Sequence, residues 1–375
     1  MINKIEIKNF KSINEATIET AQLNLFTGLN ASGKSTFLQS LLLLRQSFLN
    51  GSLSRHNVSI FLGNNDSLVN LGTFADVFSQ NAQKTSSLEI KIISDRGFYN
   101  YKSEPYDNDR NDKEDRKDRK AISGSLSKND DNIPLFSDTQ FQYLSADRIS
   151  PQEDFPRFDS DELLGKDGRF TPHYLEKYAN REVPLKHLLH EKEINNDTLM
   201  YQVNAWMRDI SPGIEIQTKE NRNTNRIELS YRYRTNSGVP TQDRKPQNVG
   251  HGITPTLPIV VALLSANEGD LIIIENPETH IHPHGQSRLA MLMAKAAQAG
   301  VQLFVESHSD HILNGIRVAA KRGWIEARKV KINYFSRSDS EITSILPLKL
   351  DQNGRIDKWP KGFFDEWDNL LDELI

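Results

Sequence analysis

Near the start of the chain, Ile2, Ile5 and Ile7 fall among polar residues, and Phe10 closes the run before a turn at Lys11-Ser12. That pattern predicts a first strand. Leu23 to Thr27 predicts another, running straight into Gly28. Beyond Lys34 the period changes, because Phe37, Leu41, Leu44 and Phe48 recur at spacings of four, three and four. Those positions share one helical face, and Asn50-Gly51 supplies a stop. Short strands and turns are expected from Ser54 to Ile93. A buried strand is expected from Phe141 to Ala146, ending in Asp147-Arg148.

Helical pieces are expected around Leu175 to His190 and Leu199 to Arg208. A hairpin pairs Ile214 to Gln217 with Ile227 to Tyr233. The last third alternates again. Leu271 to Ile274 is a short apolar strand, and Pro283 opens a helix that stops before Gly300. Val301 to Val305 is another buried strand. Short apolar strands alternating with amphipathic helices mean a mainly parallel sheet flanked by helices, an α/β fold. An N-terminal antiparallel β part and an inserted subdomain over residues 151–244 complete the expected architecture. The outer pieces, 1–150 and 245–375, then form one head, with a tail module at 346–375.

Composition narrows the classes. At 375 residues, 37% apolar and 26% charged, the chain has the material for a sizeable core. The formal net charge of -4 argues against a protein that coats nucleic acid over its whole surface, although a local basic patch is still open. With no cysteine, disulfides, thiolate metal sites and cysteine nucleophiles are excluded. No apolar run reaches the ~18 residues of a membrane span, and the N-terminus lacks a secretory signal pattern. A cytoplasmic protein without membrane contact is expected. The run from Asp107 to Lys120 has six acids, six bases and nothing apolar, so a charged, disordered loop is expected over 103–132.

The densest chemistry lies at Gly28 to Thr36, which fits G-x-x-x-x-G-K-[ST]. Gly28 and Gly33 let the backbone curl, and Asn30, Ala31 and Ser32 lie between them, so that successive N–H groups face phosphate oxygens. The following helix presents its positive end. Lys34 is then a ligand of the β- and γ-phosphates, Ser35 a ligand of Mg²⁺, and Thr36 completes the ATP-binding loop. Such a loop calls for an apolar strand ending in an acid that holds the Mg²⁺. Leu271 to Glu275 supplies it. His280, His282 and His284 follow at alternate positions, open either to metal binding or to packing and capping at the helix entrance; the phosphate loop already explains the strand and its acid, which favours the second. His308, at the end of the next strand, either donates to phosphate and orients water or is a satisfied strand-end histidine. Asn248, Gly250 and Gly252 precede a helix rich in Val and Leu, a helix N-terminus open to close approach.

Together these elements resemble the ABC-type ATPase heads of the SMC/RecF/OLD group. Asn9 to Ser12 looks like the group's N-terminal signature, and Gly28 to Thr36 has its form of the P-loop. Glu275 to Pro283 looks like its Walker B segment, D-E-P-E-x-H-x-H-P, with His308 at the switch histidine. The resemblance implies a P-loop NTPase of ABC/SMC-head type, with ATP and Mg²⁺ as cofactors and Ser35 and Glu275 on the metal. Glu275, Asn276, Glu278 and His308 form the catalytic set. Asn248, Gly250 and Gly252 are similar to the signature motif that caps ATP bound by another subunit, which implies a homo-oligomer. Where the group carries a water-polarising acid, this chain has Asn276. Glu278 is the nearby substitute; otherwise hydrolysis is slow and ATP holds a switch.

The tail from Leu348 looks like the C-terminal module of standalone bacterial ATPases of anti-phage loci, similar to the ATPase subunit of Septu systems, which works beside an HNH nuclease. That resemblance implies a regulatory subunit with a separate effector such as a nuclease. A RecF-like repair ATPase that binds DNA is the alternative. The 67 residues after His308 hold no further carboxylate constellation on apolar strands, so a nuclease domain within this chain is not expected.

Overall fold

The computed structural model describes residues 1–53, 58–83, 85–104, 120–129, 132–158, 164–234, 241–337 and 341–374. Strands β1 (Ile2–Phe10) and β2 (Ile13–Glu19) form a hairpin, and β3 (Leu23–Gly28) leads into α1 (Lys34–Leu49). Then come β4 (Ser59–Phe61), the single-turn α2 (Phe74–Val77), β5 (Glu89–Ser94), β6 (Phe98–Ser103) and β7 (Ala121–Lys128). They join the hairpin in an antiparallel sheet of order β2-β1-β5-β6-β7-β4.

The middle of the chain holds β8 (Phe141–Leu144), β9 (Asp154–Pro156), α3 (Thr171–Tyr178) and α4 (Leu199–Ile210). The hairpin of β10 (Ile214–Asn221) and β11 (Arg226–Tyr233) pairs with β9 in a small sheet. Next are α5 (Ile253–Ser265), β12 (Leu271–Glu275), α6 (Pro283–Gln298), β13 (Gln302–Glu306) and α7 (Asp310–Lys321). Strands β14 (Val330–Arg337) and β15 (Thr343–Leu348) and helix α8 (Glu366–Leu374) end the series.

The main sheet runs β15-β14-β3-β13-β12-β8, parallel except for the antiparallel edge strand β15. Its central strands are buried on both faces, and residues alternate between two cores as the strand period requires. Leu271 and Ile273 face α1 and the antiparallel sheet, whereas Ile272 and Ile274 face α4, α5 and α6. On the α1 side, Phe26, Phe37, Phe304 and Phe335 meet beneath the phosphate loop, with Phe26 and Phe304 edge to face at 5.8 Å.

Three expectations change. The described residues of 151–244 share the core of the rest of the chain: Phe155, Leu175, Trp206, Ile214 and Tyr231 lie in the same core as Leu257, Ile274 and Leu289. The inserted segment is a layer of the head. Within it, helix α3 starts earlier than expected and ends at Tyr178, and Pro184 stands where a continued helix would need a backbone donor. Strand β7 lies inside the loop expected at 103–132, and Ser103 pairs with Gly124. A Ser/Gly-rich stretch makes that strand through its backbone ladder rather than through apolar side chains. The charged run itself falls, for residues 105–119, outside the described residues.

The tail wraps α7 and closes the larger core. Phe363 is buried and stands edge to face with Tyr334 at 5.6 Å. Arg317 donates from Nε to Gly354 O at 2.7 Å and lies over the Trp359 ring. Among the described residues, no helix is long and apolar enough to cross a membrane.

Candidate nucleotide site

The phosphate loop leaves the C-terminal end of β3 and enters α1, so its backbone turns at the carboxyl edge of the parallel sheet. Two glycines make the turn possible. Gly28 has φ 143°, and a Cβ there would lie 2.0 Å from Phe335 O on β14. Gly33 caps α1 at φ 104°, where a Cβ would strike the Thr343 side chain at 2.3 Å. Both conformations belong to the region that L side chains avoid.

Lys34 is buried, 3% exposed, and its ammonium donates to Gly28 O at 3.0 Å and Leu29 O at 2.8 Å. Burial draws its pKa down. The loop's own carbonyls thus hold a cation where phosphate oxygens would compete for it. The loop borders a cleft of about 760 Å³, lined also by Lys11 and Ser12 of the β1–β2 turn and by Asn276, Glu306 and His308. Asn30, Ala31, Ser32, Gly33, Lys34, Ser35 and Thr36 all line it. Lys11 Nζ donates to Gln39 Oε1 at 2.8 Å across the mouth.

Strands β12 and β13 run in register, so Glu275 and Glu306 end side by side. Their environments differ. Glu275 Oε2 accepts from Ala146 N at 3.2 Å, and the Tyr143 hydroxyl acts on the same carboxyl to favour its charged form. Burial, followed by the charge of Glu306, pushes its carboxyl up to about 7. Glu306 is 4% exposed and accepts the Ser35 hydroxyl on Oε1 at 2.7 Å. Its Oε2 is buried with no hydrogen-bond partner among the described residues. Burial raises its pKa too, with the Lys34 ammonium working against the rise.

Asn276 has φ 43°, left-handed backbone that Asn tolerates better than Glu. Its N–H donates to Glu306 O at 2.9 Å, and its side-chain oxygen is buried without a partner among the described residues. Both oxygens of Glu278 are engaged: Oε1 accepts from His308 N at 2.7 Å and Oε2 from Ser307 Oγ at 2.9 Å. Glu278 thereby fixes the His308 turn and does not line the cleft. Burial, then the positive charge of Lys34, depresses the His308 pKa, which keeps its ring neutral.

The remaining expected residues lie elsewhere. Asn248 and Gly250 are exposed, and with Gly252 they do not line this cleft. Gly252 caps α5, where a Cβ would lie 2.0 Å from His280 O. His282 Nδ1 accepts from His284 N at 3.2 Å and caps α6, while His280 stands edge on to His251 at 4.8 Å. The alternate histidines therefore cap and pack.

Residues 23–314 match the family described as "AAA domain, putative AbiEii toxin, Type IV TA system". The chain belongs to that family. Residues 325–374 match a second one, "Protein of unknown function (DUF3696)". No curated protein matches the chain. Among solved structures, an SMC head bound to the C-winged helix domain of ScpA is similar at TM-score 0.52 and 14% identity, over 94% of this chain and 98% of that one. An SMC head with an extended coiled coil, bound to the C-terminal domain of ScpA and derived from Pyrococcus furiosus, gives 0.53 and 13%, over 100% and 99%. The fold is that of a P-loop NTPase of ABC/SMC-head type, with the phosphate-loop motif at the carboxyl edge of its parallel sheet.

Two residues of this AAA domain escape the sequence reading. Arg148 is one: Nε donates to Pro255 O at 3.0 Å, while its two terminal nitrogens reach Ser145 O at 2.7 Å and Asn276 O at 2.7 Å. It ties β8 and α5 to the turn that bears Asn276. Burial lowers its pKa to about 10. Glu306 is the other. Its signal, an acid ending an apolar strand, is the same one that singled out Glu275.

Proposed function

We propose that the chain is a Mg²⁺-dependent ATPase that sandwiches ATP between two heads and acts as the regulatory subunit of a bacterial anti-phage system, controlling a separate effector such as a nuclease. The observation that carries this reading is the separation of two motifs. The phosphate loop, Asn276 and His308 share one cleft, whereas Asn248 and Gly250 are exposed outside it. A signature segment that does not line its own chain's cleft is free to close the cleft of a second copy.

In this reading the loop amides and the N-terminus of α1 bind the phosphates, and Lys34 exchanges the carbonyls of Gly28 and Leu29 for phosphate oxygens. Bound Mg²⁺ would neutralise phosphate charge; Ser35 and an acid at the sheet edge are the groups that hold it, and the unpartnered Glu306 oxygen fits such a role. Neutral His308 donates to the γ-phosphate, and Glu278 positions it. Asn276 orients a water but cannot accept its proton, so turnover is slow and ATP serves as glue between heads. The SMC heads bound to ScpA domains support a protein partner.

Mass photometry with and without ATP tests the sandwich. Wild type dimerises with ATP, and Lys34→Ala and Gly250→Trp each abolish the dimer. Mixed in equal amounts, the two variants regain turnover, because one site then combines an intact loop with an intact signature segment. A wild type that stays monomeric with ATP, or a mixture as inactive as its parts, refutes it.

A further inference from the structure

The parallel sheet presents two acids at neighbouring strand ends, and only one of them faces the phosphate loop. Strand β13, which ends in Glu306, pairs directly with β3, with Glu306 opposite Phe26. Strand β12, which ends in Glu275, lies one strand further out. Glu306 lines the cleft beside Ser35, whereas Glu275 does not line it and instead accepts from Ala146 N, with Tyr143 of β8 also acting on its carboxyl. Those contacts join the ends of β12 and β8.

We propose that Glu306, together with Ser35, holds the divalent cation of the bound nucleotide, and that Glu275 is a structural latch between β12 and β8. This rests on the reading of the cleft as an ATP site. The spacing supports it: Ser35 Oγ and Glu306 Oε1 are 2.7 Å apart. Neighbouring ligands of an octahedral Mg²⁺ with bonds of ~2.05 Å are about 2.9 Å apart, so one ion reaches both oxygens. The other Glu306 oxygen is buried and unpartnered among the described residues, an arrangement that costs free energy unless a cation or one of its waters completes it. Among the described residues no three His, Asp or Glu side chains are grouped to hold a metal alone. A site of one carboxylate and one hydroxyl, completed by phosphates and water, is the type that Mg²⁺ accepts.

The test is Mn²⁺ binding, read from the loss of the free-ion electron paramagnetic resonance signal, with a non-hydrolysable ATP analogue on wild type, Glu306→Gln and Glu275→Gln. Analogue binding in EDTA is measured first, and melting curves establish that each variant is folded. The expected result is a Mn²⁺ affinity weakened by about tenfold or more in Glu306→Gln, less than about threefold in Glu275→Gln, and analogue binding in EDTA alike in all three. Glu306→Asp, which keeps the charge but shortens the reach, falls between wild type and Glu306→Gln. A loss confined to Glu275→Gln, or equal in both Gln variants, overturns the assignment while leaving the ATP reading intact. Absence of analogue binding by wild type overturns the ATP reading and this assignment with it.

Discussion

The two large sheets solve different problems, each with six strands among the described residues. In the antiparallel sheet, β5 buries every second residue, Ile90 and Ile92 among them, and the outer face carries Glu89 and Lys91. In the parallel sheet, β12 and β13 bury nearly every residue, and their polar residues lie at the strand ends. A sheet covered on both faces has no free side for binding groups. Its candidate functional residues therefore crowd onto one edge, where Gly28, Glu275 and Glu306 end adjacent or near-adjacent strands. The one-sided sheet can vary its outer face without touching the core. It contributes to the cleft mainly through the turn at Lys11 and Ser12.

Substitutions can break or sharpen this contrast. The largest effect is expected at the aromatic cluster: Phe304→Ala removes a ring packed against Phe26 and should cost about 3–5 kcal/mol in urea unfolding. A cost below ~1 kcal/mol would mean that the parallel sheet tolerates loss as well as the other one does.

Next comes the pH dependence of Glu275. Its folded-state pKa of about 7 exceeds the ordinary 4.5. Below about pH 4.5 both states carry the proton, and the burial exacts nothing. As pH rises to about 7 the unfolded chain releases the proton first, so stability falls by up to ~3 kcal/mol and then levels. Melting curves in EDTA should show that fall reduced in Glu275→Gln; superimposable profiles would contradict the shift.

Lys34→Ala should reduce phosphate release from ATP by about a hundredfold or more, ~2.7 kcal/mol in the barrier. Undiminished release would place the chemistry elsewhere. Smallest of all, Lys91→Ala on the outer face should stay within about 0.5 kcal/mol of wild type, since its contact with Glu6 is long, at 3.6 Å, and partly exposed.

Much of the parallel sheet was legible because its signals are local. Apolar runs ending in Gly28, Glu275 and Glu306 mark strands, and the spacing of Phe37, Leu41 and Leu44 marks α1. Strand β2 was not read as a strand, because Ile13 and Ile18 are its sole large apolar residues among polar neighbours. Strand β7 was hidden in a stretch with Ile122 and Leu126 as its sole large apolar residues. The choice between Glu275 and Glu306 has no local signal at all. Both end apolar strands, and only the order β3-β13-β12 tells which one stands beside Ser35. Arg148 escaped for a similar reason, since its carbonyl partners near Pro255 and Asn276 lie more than a hundred positions away along the chain.

One contact links the beginning of the chain to its far end. Thr343 Oγ1 donates to Ser12 Oγ at 2.8 Å and also lies 3.0 Å from Ser32 O, while Phe335 O fills the space beside Gly28. The phosphate loop leaves the ribosome some three hundred residues before the strands that supply its outer wall. A nascent chain therefore carries an open, unbraced loop until Phe335 and Thr343 have been made and folded against it.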